Sequence, residues 1–176
     1  MDERPKTQPI ITRRLVLRTP VLADAPDIAR LANNEKLHAV LARVPYPYSE
    51  TDAVDFITNV VSDPNERIYA ITLAEAGTLI GVIGFSFVDG QPPELGYWLG
   101  EPFWGHGYAT EAVRGAIAAI VDVEPVVFAR VIATNRGSRT VLEKAGFTLV
   151  RQAIGNCGPH KGVEMTDYRY EAKRAG

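Results

Sequence analysis

Glu94-Leu-Gly-Tyr-Trp-Leu-Gly-Glu-Pro-Phe-Trp-Gly-His-Gly-Tyr-Ala-Thr-Glu-Ala-Val-Arg114 reads as a strand, a glycine-bearing turn and a helix. Several backbone N–H groups have no partner at a helix start, and the helix dipole presents its positive end there, so an anion can sit at this junction. Gly105 and Gly107 lack a Cβ, which lets the backbone approach a bulky phosphate closely. After the turn, Ala109, Ala112, Val113, Ala116, Ile117 and Ile120 recur at helical spacing as one apolar face.

Two nucleotide-loop patterns fail on this stretch. Gly100 and Gly105 have the separation of a Walker A loop, but His106-Gly107 follow where Lys and Ser or Thr are needed. Gly105 and Gly107 fit the first two Rossmann glycines, but Thr110 takes the third place. Asp122 and Glu124 come only loosely near the acidic position that pattern requires. A turn that is merely structural stays open, since strand-to-helix turns use glycine routinely.

Val126-Val-Phe-Ala-Arg-Val-Ile-Ala133 is a strand by its β-branched content, and Asn135 to Phe147 a short helix. Asn135 is a candidate N-cap, Val141, Leu142 and Ala145 face inward, and Gly146 suits the C′ position. Trp104-Gly-His-Gly-Tyr-Ala-Thr-Glu-Ala112, followed by Asn135-x-x-Ser138 and Glu143-Lys-Ala-Gly-Phe147, resembles the GNAT N-acetyltransferases. Within them it is similar to the RimJ/RimL-type ribosomal-protein N-terminal acetyltransferases. Thr12-Arg-Arg-Leu-Val-Leu-Arg18 and the Pro45 to Ile57 segment share that likeness, which spans roughly residues 12–170. The superfamily pattern Arg/Gln-x-x-Gly-x-Gly/Ala is met at Gly107 and Ala109, with Trp104 in the first position, where the Rim-like branch commonly has an aromatic. His106 stands where Lys is frequent, which weakens attraction for phosphate at neutral pH.

The resemblance implies a mixed α/β fold with a mostly antiparallel sheet flanked by helices, its fourth and fifth strands splayed to admit acyl-CoA. Acetyl-CoA is then the acyl donor. Its phosphates belong on Gly105, His106, Gly107, Tyr108, Ala109 and Thr110, its pantetheine arm near Trp98, Leu99 and Trp104 with Asn135 bonding it. Ser138 is the implied proton donor to the leaving thiolate. Glu94 and Glu164 are the candidate bases, and Tyr46 and Tyr48 shape the acceptor pocket. The implied activity is direct transfer to a primary amine, first of all the α-amine of a protein or peptide such as a ribosomal protein. A small-molecule amine (amino acid, polyamine or aminoglycoside) and a non-catalytic acyl-CoA sensor are the alternatives. A homodimer occurs among relatives, so monomer and homodimer are both open for this chain.

The residues themselves permit plainer readings. Asn135 can be only a cap and Ser138 only a first-turn hydroxyl bonded to its own backbone, which leaves a water or Tyr168 as the next acid. Glu94 and Glu164 can be surface glutamates, and Glu111 a structural partner of the dipole. His38, His106 and His160 are scattered. Cys157 has no evident partnering histidine, so direct transfer is simpler than a covalent intermediate. An amine attacks only when neutral, and an α-amine titrates near ~8 against ~10.4 for lysine, so an N-terminus asks less of a base. The developing oxyanion needs a donor, for which a backbone N–H near Leu99 is suited.

At 176 residues the chain is expected to form one domain over 1–176, with 1–11 as a flexible leading segment. A net charge of −2 argues against nucleic acid as the main partner. No apolar run approaches membrane-spanning length, one cysteine excludes an internal disulfide or cysteine zinc cluster, and no metal is expected. Cytoplasm is the expected compartment. Leu15 to Arg18 reads as a first strand, Asp24 as a cap for a helix, and Ser49-x-x-Asp52 as a capping-box start. Ile68 to Leu73 and Leu79 to Val88 form a hairpin around Gly77, with a bulge or kink at Gly81 and Gly84. Val163 to Tyr170 is expected to close the sheet.

Overall fold

The computed structural model describes residues 7–41, 43–156 and 160–173. One eight-stranded sheet runs through it in the order β1-β2-β3-β4-β5-β6-β8-β7. The strands are β1 (Ile10–Ile11), β2 (Leu15–Arg18), β3 (Glu66–Leu73), β4 (Leu79–Ser86), β5 (Glu94–Leu99), β6 (Val126–Ile132), β7 (Thr148–Ile154) and β8 (Glu164–Glu171). The helices are α1 (Ala25–Ala32), α2 (Glu35–His38), α3 (Glu50–Asp55), α4 (Tyr108–Ile120) and α5 (Arg136–Lys144). All pairings are antiparallel except β5 with β6. Because Ile10–Ile11 forms a short strand, the expected splayed fourth and fifth strands are β5 and β6 here.

Each face of the sheet carries a core. Leu15, Leu17, Ile83, Phe85, Leu95 and Leu99 meet the apolar side of α4 in one core. Ile28 and Leu31 from α1, Ala53 from α3 and Ile57 just after it meet Ala70 and Leu79 in a second. This explains why β4 is buried almost end to end and does not alternate. Gly81 and Gly84 allow close approach: a Cβ on Gly81 would lie 2.2 Å from the Trp98 carbonyl oxygen, and one on Gly84 2.5 Å from Ile68 Cδ1. The expected irregularity is a register shift between Ile71 and Thr72, opposite the segment Leu79 to Gly81.

Three expectations are corrected, and one strand is added. Ile10–Ile11 is not part of a flexible segment, because it pairs with Val16 and Leu17. The Asp24 side chain does not cap α1. It instead takes two hydrogen bonds from Arg18, at 2.7 and 2.8 Å, and one from the Val21 N–H. The last strand does not close the sheet: β8 inserts between β6 and β7, leaving β7 at an open edge. The strand β7 was itself missed, since it is exposed along nearly its whole length and lacks an alternating pattern. Ser49 and Asp52 do form their reciprocal capping box, and Asn135 caps α5.

Candidate functional site

The sheet opens between β5 and β6. They pair only at Glu94↔Phe128 and Leu95↔Ala129, and β5 then continues to Leu99 without a β6 partner. The Phe128 N–H donates to the Pro93 carbonyl (2.9 Å) and the Gly100 N–H to the Ile80 carbonyl (2.8 Å). Strand alternation therefore turns the backbone groups of Leu95, Tyr97 and Leu99 away from β4 and toward β6. Trp104 Nε1 donates to the Leu99 carbonyl (2.8 Å), so that oxygen is engaged while the Leu99 N–H is directed into the gap.

The gap leads to the turn before α4. Gly105 and Gly107 hold φ of 77° and 78°, a left-handed backbone suited to glycine. Gly107 is the N-cap of α4 and offers no side chain, and the first intrahelical bond runs from the Glu111 N–H to the Gly107 carbonyl. The N–H groups of Tyr108, Ala109 and Thr110 precede that bond, the arrangement in which a helix start accepts an anion. No Cβ at Gly105 would meet anything within 4 Å.

Glu111 and Arg14 brace this turn. Glu111 accepts from Thr12 Oγ1 (2.7 Å), the Arg14 N–H (2.6 Å) and Arg14 Nε (2.7 Å), while Arg14 Nη1 donates to the His106 carbonyl (2.9 Å). The Arg14 guanidinium also lies 4.5 Å over the Tyr108 ring. Burial opposes the charge on Glu111, but these bonds outweigh it and hold its pKa below the usual range. A groove of about 580 Å³ adjoins the turn, and Arg13, Arg14, Arg114 and Lys144 bring four cations to its lining.

Ser138 lies in the first turn of α5, where its N–H donates to Asn135 Oδ1 (3.2 Å). Its Oγ is 2.7 Å from Tyr97 Oη, which also donates to the Ser138 carbonyl at 3.2 Å. Sequence reading missed Tyr97. The available signal was a hydroxyl at a core-facing position, in phase with Leu95 and Leu99. Tyr168 is buried and engaged elsewhere: it accepts from Arg139 Nε (3.1 Å) and donates to Glu143 Oε1 (3.0 Å).

The remaining candidates separate. Glu94 is exposed at the paired end of β5 and alternates onto the face of Trp98, which packs against the α1–α3 core. Glu164 is exposed at the start of β8, on the Tyr168 face, where its charge is felt by Arg139. The two carboxylates therefore lie on opposite faces of the sheet. Tyr46 is exposed and stacks on His38 with 5.6 Å between ring centroids. Tyr48 sits in the α1–α3 core, where burial, with Asp52 nearby, pushes its phenol up to about 12. Cys157 falls outside the described residues. Among the described residues, no cluster of metal-ligating side chains occurs and no helix is long and apolar enough to cross a membrane.

The sequence profile of the acetyltransferase (GNAT) domain matches residues 14–148. The chain belongs to the GNAT acetyltransferase family. It is 28% identical over 112 residues to the uncharacterised N-acetyltransferase p20 of Bacillus licheniformis, a match covering 61% of this chain and 63% of that relative. The chain thus spans less than two thirds of the length of this relative. A GNAT-family acetyltransferase of Bacillus anthracis superposes with a TM-score of 0.83 at 19% identity, over 93% of this chain and 98% of that one. The ribosomal-protein α-N-acetyltransferase RimL, in complex with coenzyme A, superposes at 0.81 with 18% identity, over 94% and 98%. These likenesses establish a GNAT fold, a mixed sheet flanked by helices and open at its edge.

Proposed function

We propose that the protein transfers an acetyl group from acetyl-CoA to a primary amine in the cytoplasm, with the α-amine of a protein or peptide N-terminus as its preferred acceptor. A ribosomal protein is the candidate of that class, in keeping with the RimL-like fold. The observation that carries this reading is the opening between β5 and β6, which runs directly into the glycine turn of α4. An extended pantetheine arm fits along a strand edge whose backbone groups face a gap, with the Asn135 side chain beside it. A pyrophosphate fits at the Tyr108–Thr110 amides, and the basic groove beyond suits the anionic nucleotide end.

In this reading the acyl oxygen faces the Leu99 N–H, which stabilises the charge that develops there. The neutral amine nitrogen bonds to the carbonyl carbon, and the C–S bond breaks with its electron pair on sulfur. Ser138 Oγ gives its proton to that sulfur and is reprotonated from solvent. The amine loses its own proton to a water. Glu94 is favoured over Glu164 for ordering that water, because Glu164 shares the α5 face with Ser138 and the donor. Glu94 lies on the other face, from which an acceptor can enter. The α-amine, titrating near ~8, is appreciably neutral at pH 7, so such a weak arrangement suffices.

Thiol release from acetyl-CoA, measured across a panel of amines, tests the proposal. Peptides with free N-termini should release thiol, and the same peptides with blocked N-termini should not. Release only with polyamines, amino acids or aminoglycosides would move the acceptor to small molecules. Coenzyme binding without release for any amine would leave a sensor.

A further inference from the structure

We infer that Tyr97 is a positioning residue for the proton donor, holding Ser138 Oγ so that the hydrogen of the serine points at the departing sulfur. The inference rests on the acetyl-transfer reading and adds to it a residue on a different element, 41 positions away from Ser138.

Ser138 is held at three atoms. Its N–H is bonded to Asn135 Oδ1 (3.2 Å), its carbonyl accepts from Tyr97 Oη (3.2 Å), and its Oγ lies 2.7 Å from the same Oη. An unrestrained serine samples three staggered χ1 wells, and a hydroxyl in the wrong well delivers no proton to a fixed sulfur. The bond from Tyr97 selects one well. Tyr97 stands two residues beyond the last β5–β6 pair, at Leu95, so its side chain joins the opening of the gap to the start of α5. The Leu99 N–H follows two residues later on the same strand edge. Oxyanion donor and proton donor are thereby fixed to one strand.

In this arrangement the single Tyr97 hydrogen lies on Ser138 Oγ, the nearer acceptor at 2.7 Å, with the Ser138 carbonyl at 3.2 Å as a weaker second acceptor. Burial pushes the Tyr97 phenol well above its ordinary range, against the bond to Ser138, which lowers it, and Tyr168 nearby raises it further. A phenolate there is disfavoured, so Tyr97 keeps its proton and is not itself the proton source. With Tyr97 donating to Oγ, the Ser138 hydrogen is left for sulfur. The transfer then balances as before: sulfur takes the Ser138 proton, solvent restores it, and Tyr97 is unchanged. Core packing does not require the hydroxyl, since a phenylalanine ring would fill the same place against the α4–α5 core.

Steady-state kinetics of wild type, Tyr97→Phe, Ser138→Ala and the double variant, each with a melting curve, test this. Tyr97→Phe should lower kcat by roughly 5- to 30-fold, the scale of one lost hydrogen bond, with KM for acetyl-CoA little changed. Ser138→Ala should lower kcat by roughly 10- to 10⁴-fold, and adding Tyr97→Phe to it should cost nothing more. Additive losses would mean that Tyr97 acts independently of Ser138 and would overturn the inference. So would an unchanged kcat with only a lowered Tm. Should Tyr97→Phe not fold, difluorotyrosine at position 97 keeps the ring and strengthens the donor. Its kcat must then differ from wild type, but not in the Ser138→Ala background. A wild type that releases no thiol with any amine would remove the parent reading, an outcome distinct from all of these.

Discussion

Gly107 caps α4 at φ 78°, a conformation that a β-branched residue adopts only under strain. A change to valine would therefore confuse lost coenzyme binding with a disturbed turn. Asparagine tolerates the left-handed region, so Gly107→Asn keeps the backbone and places a side chain where phosphate is proposed to sit. We expect its Tm to stay within a few degrees of wild type and its Kd for acetyl-CoA to rise at least about 10-fold. Calorimetric titration with a parallel melting curve checks both, and an unchanged Kd in a folded variant removes the phosphate-site assignment. At this scale the capping of α5 by Asn135 was legible in the sequence, because a cap and its first turn are local. The contact between Tyr97 and Ser138 was not, because it joins a strand to a helix that only tertiary packing brings together.

Glu111 ties the first turn of α4 to the β1–β2 segment through Thr12 and both the backbone and guanidinium of Arg14. Its side chain is only 16% exposed, so removing its charge leaves partly buried donors poorly matched. Glu111→Gln should cost roughly 1–3 kcal/mol of stability. Glu111, Asp24 and Asp167 each feel burial opposing their charge and hydrogen bonds outweighing it, from Thr12 and Arg14, from Arg18 and the Val21 N–H, and from Arg130 and Arg151, so each pKa lies below its ordinary value. A depressed carboxylate stabilises the fold above its unfolded pKa, about 4, and that stabilisation is lost as pH falls through the folded value. Thermal melts should thus decline steadily below about pH 4, and Glu111→Gln should flatten part of that decline. A decline of the same steepness in the variant would contradict this role. The dipole reading of Glu111 was available from its place in the helix, but its partners were not, since they lie 97 to 99 positions earlier in the chain.

The molecule as a whole is one open sheet with a core on each face, and its opening lies between two strands that begin as neighbours. Strand, turn and helix at Glu94–Arg114 were legible because periodicity and glycine placement are properties of adjacent residues. The insertion of β8 between β6 and β7 was not, because nothing local distinguishes an edge strand from an inner one when the edge is exposed on both sides. The gap and the turn are proposed to form one continuous coenzyme site. Hydrogen exchange with and without acetyl-CoA tests this most directly, since backbone amides report their own protection. Acetyl-CoA is predicted to slow exchange in both 96–100 and 105–111, with ATP and NAD leaving the first segment unprotected. Acetyl-CoA binding that protects neither segment, or only one of them, would contradict the account.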